Sequence, residues 1–200
     1  GELPLKFREV VSVYFVVNNK VNDSMSDLDP VLFKGLPYIT EEMEGLKFRI
    51  SPKSFFQTNT LQANTLYRTV REFSELSGNE TIYDLYTGTG TIALFLSRHC
   101  RKVIGMDYVE EAVSDAKANS EANRIANVEF FAGDVSEMFG EQFIEKHGKP
   151  DVLVTDPPRA GMHKNVVEGI IKMAPPKIVY VSCNSATQAR DINMLSEHYR

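Results

Sequence analysis

Thr81-Ile-Tyr-Asp-Leu-Tyr-Thr-Gly-Thr-Gly-Thr-Ile-Ala-Leu-Phe95 decides the fold. An apolar run ends at Asp84, two glycines follow, and a helical pattern begins at Thr91. Glycines there let the backbone turn tightly from strand to helix and leave no Cβ in the way of a ligand. The strand over 81–86 is the first of five. The others are 102–106 with a helix from Glu110, 128–131 with a helix from Val135, 151–155 with a helix from Lys164, and 178–182 with a helix from Ala186. Five βα units in a row predict an α/β, Rossmann-like fold: a doubly wound, mostly parallel sheet with helices on both faces. The continuously apolar strand runs are those of strands covered on both sides.

Working outward, residues 60–77 read as a helix closed by Gly78. Leu46-Lys-Phe-Arg-Ile50 alternates as a half-buried strand should, and Ser51-Pro52 breaks it. The first 45 residues read differently: a β-branched and aromatic run over 10–17, then a turn-rich stretch over 18–30. The expected organisation is a small β module over 1–45 followed by an α/β domain over 46–200. The chain starts without Met and stops just after its fifth βα unit, which reads as one part of a longer enzyme, truncated at both ends.

Composition sets bounds. With 42% hydrophobic and 24% charged residues the chain is ordinary for a globular protein, and no apolar run approaches the roughly 20 residues that span a bilayer. The start carries no leader pattern. Cys100 and Cys183 lie far apart, which predicts neither a disulfide framework nor a metal site and suits a reducing cytoplasm. A net charge of -5 rules out a chain coated in basic residues but allows a local groove that neutralises a few phosphates. Lys47, Arg49, Lys53, Arg68 and Arg71, and separately Arg159, Lys164 and Arg190, are candidates for one. Such charges are also the ordinary content of a solvated face.

The glycine loop departs from the dinucleotide pattern, because Leu94 and Phe95 stand where a third small residue would bring helix and strand together. Asp84 would repel a pyrophosphate and suits the amino acid end of S-adenosylmethionine. Asp107 ends the second strand about 20 residues on, where a carboxylate accepts from ribose hydroxyls. Asp134 ends the third and is a candidate for the adenine amino group; Tyr86, Gly88 and Thr91 flank or form the loop. Asp107 and Asp134 are equally explained one at a time as turn or cap residues. Together with the loop they point to S-adenosylmethionine.

Asp156-Pro-Pro158 ends the fourth strand in a turn with few alternatives. Such acidic Pro-Pro turns suit methyl transfer to an exocyclic amine. Cys183, at the mouth of the neighbouring strand in Val179-Tyr-Val-Ser-Cys-Asn184, favours other chemistry. Pyrimidine C5 is a weak nucleophile until a thiolate adds to C6 and makes C5 enolate-like. A free cysteine is also commonly just a small buried hydrophobe, and Cys100 reads that way.

Phe55-Phe-Gln-Thr-Asn59, Asp84-Leu-Tyr-Thr-Gly-Thr-Gly90, Asp156-Pro-Pro-Arg-Ala-Gly161 and Ser182-Cys-Asn-Ser-Ala-Thr187 with Arg190-Asp191 resemble, in that order, the RNA uracil-C5 methyltransferases that make 5-methyluridine in transfer and ribosomal RNA. The resemblance covers about residues 46–191. It implies Cys183 as the nucleophile, Gln57, Tyr86, Asp107 and Asp156 as residues touching S-adenosylmethionine or the target base, and RNA as the partner. Phe56, Arg159, Asn184 and Arg190, within those motifs, are candidate substrate contacts. The general base of the family, a glutamate in a His-x-Glu motif, would follow the last strands and lies outside this chain, as do the N-terminal β-barrel and the iron-sulfur cysteines of some members. An enzyme without that base would stall as a covalent adduct. Two other readings stand beside this one: an amino methyltransferase acting on adenine or guanine through Asp156-Pro-Pro, and a non-catalytic cofactor- or RNA-binding fragment.

Overall fold

The computed structural model describes residues 7, 9–21, 28–136 and 139–199. Two antiparallel hairpins come first. β1 (Ser12–Phe15) pairs with β2 (Val31–Gly35), shorter than the strand expected over 10–17. β3 (Ile39–Met43) pairs with β4 (Leu46–Ile50) through Glu44 and Gly45, both at positive φ (48° and 73°). Two left-handed positions in succession match the twist of the strands they join, and glycine takes one at no steric cost. The boundary expected between residues 45 and 46 therefore falls inside a hairpin. β4 keeps its expected alternation: Leu46, Phe48 and Ile50 are buried, Lys47 and Arg49 exposed.

α1 (Thr60–Ser74) begins at Asn59, whose side chain accepts from the Gln62 amide (3.1 Å), and ends at Glu75 in the left-handed conformation, short of Gly78. Then come β5 (Thr81–Leu85), α2 (Thr91–Ser97), β6 (Lys102–Asp107), α3 (Glu110–Ala122), β7 (Val128–Ala132), α4 (Glu141–His147), β8 (Val152–Thr155), α5 (Lys164–Met173), β9 (Lys177–Tyr180) and α6 (Ser185–Leu195). β5 to β9 form one parallel sheet in the order β7-β6-β5-β8-β9. α4 starts at Glu141 and not at Val135, because Asp134 turns back to accept from the Ser136 amide (2.8 Å) and Gly140 caps the helix. Strand side chains alternate between two cores. Ile82, Val103, Val154 and Val179 pack with α1 and α2 on one face, and Tyr83, Ile104, Leu153 and Tyr180 pack with α5 and α6 on the other.

β4 is an edge strand, and α3 satisfies it with side chains. Asn123 accepts from the Lys47 amide (2.8 Å) and donates to its carbonyl; Asn119 accepts from the Arg49 amide (2.7 Å) and donates to its carbonyl (3.1 Å); Asp115 accepts from the amide and hydroxyl of Ser51. Four residues of helix rise about 6 Å, and two residues of strand about 6.7 Å. One polar side chain per helical turn can therefore follow a strand in register. Asn119 also donates to the Thr89 carbonyl (3.1 Å), so one fully buried amide joins the hairpin, α3 and the glycine loop.

Asn119→Ala strands three backbone groups at once. It is expected to cost about 2–3 kcal/mol, read as a fall in melting temperature of roughly 5–10 °C. An unchanged melting curve would show that the ladder carries no net stability.

Candidate active site

All five parallel strands end on one edge, with Leu85 level with Met106 and Thr155, Asp107 with Ala132, and Thr155 with Tyr180. At the centre the chain leaves β5 through Tyr86, whose φ of +61° is strained for a non-glycine residue. The Thr87 amide donates to the Met106 carbonyl (3.0 Å), and the Gly90 amide donates to the Thr87 carbonyl (2.9 Å). Gly90 (φ +77°) lies against α3 and β7, where an added Cβ would stand 2.8 Å from the Phe130 ring. Gly88 (φ +55°) is the reverse: an added Cβ there meets nothing within 4 Å. One glycine is required by packing, and the other leaves backbone open to a ligand.

The acidic residues differ in state. Asp107, at the end of β6, accepts from the Gly88 amide (2.8 Å) and the Val109 amide (2.9 Å), so it orders the glycine loop and the start of α3. Asp134 is exposed, and the Ser136 hydroxyl and amide hold its carboxyl below the usual carboxylate range. Asp84 has no exposed surface. Burial pushes its carboxyl up to about 7 against the opposing bond from the Thr87 hydroxyl (2.6 Å), and its Oδ1 has no hydrogen-bond partner among the described residues. Burial alone pushes Asp156 up to about 6. Tyr86, chiefly through burial and then through nearby Asp134, Asp191 and Asp107, is pushed up to about 12 and stays a neutral donor. Thr91 is buried with its hydroxyl 3.2 Å from that of Tyr67, which places it in the packing of α1 on α2.

Cys183 is exposed on the segment from β9 to α6. Asn184 caps α6 by accepting from the Ala186 amide (3.1 Å), and its amide nitrogen donates to the Arg159 carbonyl (3.1 Å). One turn on, Thr187 donates to the same carbonyl, and Arg190 donates to the carbonyls of Ala160 (3.0 Å) and Met162 (3.2 Å). Asp191, fully buried, accepts from Arg190 (2.6 Å), the Met162 amide (2.8 Å) and the Tyr180 hydroxyl (2.7 Å). Gly161 fits only as glycine: an added Cβ would stand 2.5 Å from Arg190 and 2.7 Å from Asp191. The first two turns of α6 thus hold the loop after Asp156 against the cysteine segment. Asn184 and Arg190, expected as substrate contacts, take part in that clamp, and the Arg190 guanidinium stays exposed with no hydrogen bond at Nη1 among the described residues. Arg159 is exposed, and its side chain makes no hydrogen bond or ion pair among the described residues.

A cavity of about 390 Å³ brings Cys183, Asp156 and Gln57 together. Val179, Tyr180 and Gln188 line it from the β9–α6 side, and Leu66, Thr69 and Phe73 from α1. The α1 wall was not legible as a site, because residues at that spacing read as a core stripe; Phe73, 65% exposed, belongs to the cavity instead. Phe56 does not line this cavity. It packs on Phe48 and faces a second one of about 470 Å³ that shares Gln57 with the first. Among the described residues no group of acidic, histidine and cysteine side chains could hold a metal, and no helix is long and apolar enough to cross a membrane.

A parallel α/β sheet with a glycine loop after its central strand and carboxylates at the flanking strand ends is the architecture of the Rossmann-like methyltransferases. The chain belongs to the tRNA (uracil-5-)-methyltransferase family, whose model matches residues 38–200. It is 56% identical over 194 residues to an RNA methyltransferase of Bacteroides thetaiotaomicron, covering 97% of this chain and 43% of that one. It is 54% identical over 190 residues to one of Porphyromonas gingivalis, covering 95% and 41%. The chain thus spans less than half the length of these relatives. The solved tRNA (uracil-54, C5)-methyltransferase of Pyrococcus abyssi, in complex with S-adenosyl-L-homocysteine, superposes with a TM-score of 0.76 at 34% identity, covering 96% of this chain and 46% of that one. S-adenosylmethionine is the methyl donor of this family.

Two outcomes follow for the site. Asp191→Ala removes the buried acceptor of three donors, the Met162 amide, the Tyr180 hydroxyl and the Arg190 guanidinium, and is expected to cost about 3 kcal/mol in urea unfolding; a cost under about 0.5 kcal/mol would show that the clamp is dispensable. The Asp84 carboxyl is raised when folded, so its contribution to stability is present below the ordinary carboxylate pKa and is lost as pH rises through about 7. Asp84→Asn should accordingly lose less stability than the parent between pH 4.5 and pH 7.5.

Proposed function

We propose that this chain is the cofactor-binding and nucleophile-bearing part of an RNA methyltransferase that forms 5-methyluridine. The observation that carries the reading is the convergence of Cys183, Asp156 and Gln57 on one cavity at the carboxyl edge of the sheet. That edge is where open α/β sheets bind their ligands.

The residues fit S-adenosylmethionine, which supplies an electrophilic methyl group on a sulfonium. The open backbone at Gly88 admits a ligand close to the loop, and Asp107, level with it, presents a carboxylate to a ribose. Asp134 and Tyr86 would flank the adenosyl end, with buried Asp84 and half-buried Asp156 as acidic groups for the cationic end. Thr91 supports the loop from behind.

Cys183 adds as the thiolate to C6 of a uracil, forming a C–S bond while the C5=C6 π pair moves onto C5 and O4 as an enolate. C5 is then nucleophilic enough to take a methyl group. Loss of the C5 proton to a base restores the double bond and expels the Cys183 thiolate. Asp156 is the only carboxylate lining this cavity among the described residues, and as an acceptor it suits a ring N–H of the uracil. The base must be swung out of its stack to reach Cys183, and Gln57, whose side chain makes no hydrogen bond among the described residues, is free to meet its carbonyl.

RNA carrying 5-fluorouridine tests the reading with S-adenosylmethionine present. Fluorine cannot leave C5 as a proton does, so the adduct accumulates. A protein–RNA band that resists denaturation, and that is absent for Cys183→Ala, is the expected result. A methylated RNA product from Cys183→Ala would overturn the thiol mechanism.

A further inference from the structure

The second cavity, about 470 Å³, lies between the first hairpin, the second hairpin and the segment that leads to Gln57. Its volume is in the range that holds a nucleoside-sized ligand. Tyr14, Tyr38, Ile39, Ile50, Pro52 and Phe56 give it flat and apolar walls. Those walls are fixed: the Tyr14 hydroxyl donates to the Pro37 carbonyl (2.9 Å), the Ser12 hydroxyl to the Leu36 carbonyl (2.7 Å), and Ser51 and Ser54 are bonded to Asp115. The Arg49 guanidinium sits 4.8 Å from the centre of the Tyr38 ring and does not line the cavity, so it covers one face and leaves the rest of the ring to the cavity. Glu41 is the one charged residue of the lining among the described residues. One of its oxygens accepts from the Thr60 hydroxyl (3.2 Å), and the other has no partner among the described residues. Gln57 lines this cavity and the Cys183 cavity alike.

We infer that this cavity is a subsite for a second unstacked base of the same RNA, a purine next to the target uridine, stacked on Tyr38 and Tyr14 and read by Glu41 through its exocyclic amine. The inference rests on the proposed action on RNA. Aromatic faces bind bases without regard to sequence. The carboxylate supplies the preference, since it accepts hydrogen bonds but cannot donate them; a purine amine satisfies it, whereas the O4 carbonyl of uracil would be repelled. A base held here would leave its neighbour extruded toward Gln57 and Cys183, which lowers the cost of unstacking the target.

Two fluorescein-labelled heptaribonucleotides test the inference by anisotropy: one with a central uridine flanked by adenosines, one with the same uridine flanked by uridines. The protein should bind the first roughly tenfold tighter. Tyr38→Ala and Glu41→Gln should bind the two equally, while Tyr38→Phe, which keeps the ring, should retain the preference. Retained melting temperature separates these effects from misfolding. Equal binding of both RNAs by the parent protein, or a preference that survives Tyr38→Ala and Glu41→Gln together, overturns the subsite. The same oligonucleotides with a central 5-fluorouridine tell the two readings apart: an adduct with Cys183 but no adenosine preference removes the subsite alone, and a preference without an adduct removes the uracil chemistry alone.

Discussion

A parallel sheet must bring the chain back across one of its faces between every two strands, so all of its strands end on the same edge. That constraint organises this protein. Strands ending at Leu85, Asp107, Ala132, Thr155 and Tyr180 are hydrogen-bonded in register, and the residues just beyond them become neighbours although they are spread over a hundred positions of sequence. The reversal of strand order between β5 and β8 opens the crevice in which Asp156 lies close to the glycine loop. A one-residue slip of any of these strands would exchange its two core faces and remove its contribution to the site together.

Holding acidic groups at that edge has a cost, met by two different devices. Asp107 is held by two backbone amides, and Asp134 by the Ser136 amide and hydroxyl, which keep its carboxyl below the usual carboxylate range. Asp84 is buried and Asp156 half-buried, each with few donors, and burial shifts both toward the protonated form. A cationic ligand would draw the second pair back toward ionisation, because opposite charge favours the charged form. The clamp formed by Asn184, Thr187, Arg190 and Asp191 ties the loop after Asp156 to the start of the last helix.

The parts legible in the sequence were those whose pattern is local. Leu46-Lys-Phe-Arg-Ile50 shows its buried face by alternation, and the five apolar runs show the sheet. The partner strand Ile39–Met43 was hidden because Thr40, Glu41 and Glu42 carry no alternation, and its place was fixed by the Glu44-Gly45 turn instead. The helix expected from Val135 yielded to an aspartate that turns back on its own backbone. Cys183, Asp156 and Gln57 could be singled out because they stand in motifs between elements, and the structure brings the three to one cavity. Asp191 and the α1 wall at Leu66, Thr69 and Phe73 were not. Their roles depend on which element packs opposite, which neither spacing nor residue type records.

The central claim is that this geometry directs methyl transfer to a pyrimidine carbon and not to an exocyclic nitrogen. Incubating the protein with RNA and isotopically methyl-labelled S-adenosylmethionine, digesting to nucleosides and resolving them by mass spectrometry measures this directly. The account predicts that the label is carried on a uridine carbon, held in the covalent adduct with Cys183 or, where a base removes the C5 proton, released as 5-methyluridine. Label in an N-methylated adenosine or guanosine would contradict it and assign Asp156-Pro-Pro158 to amine chemistry.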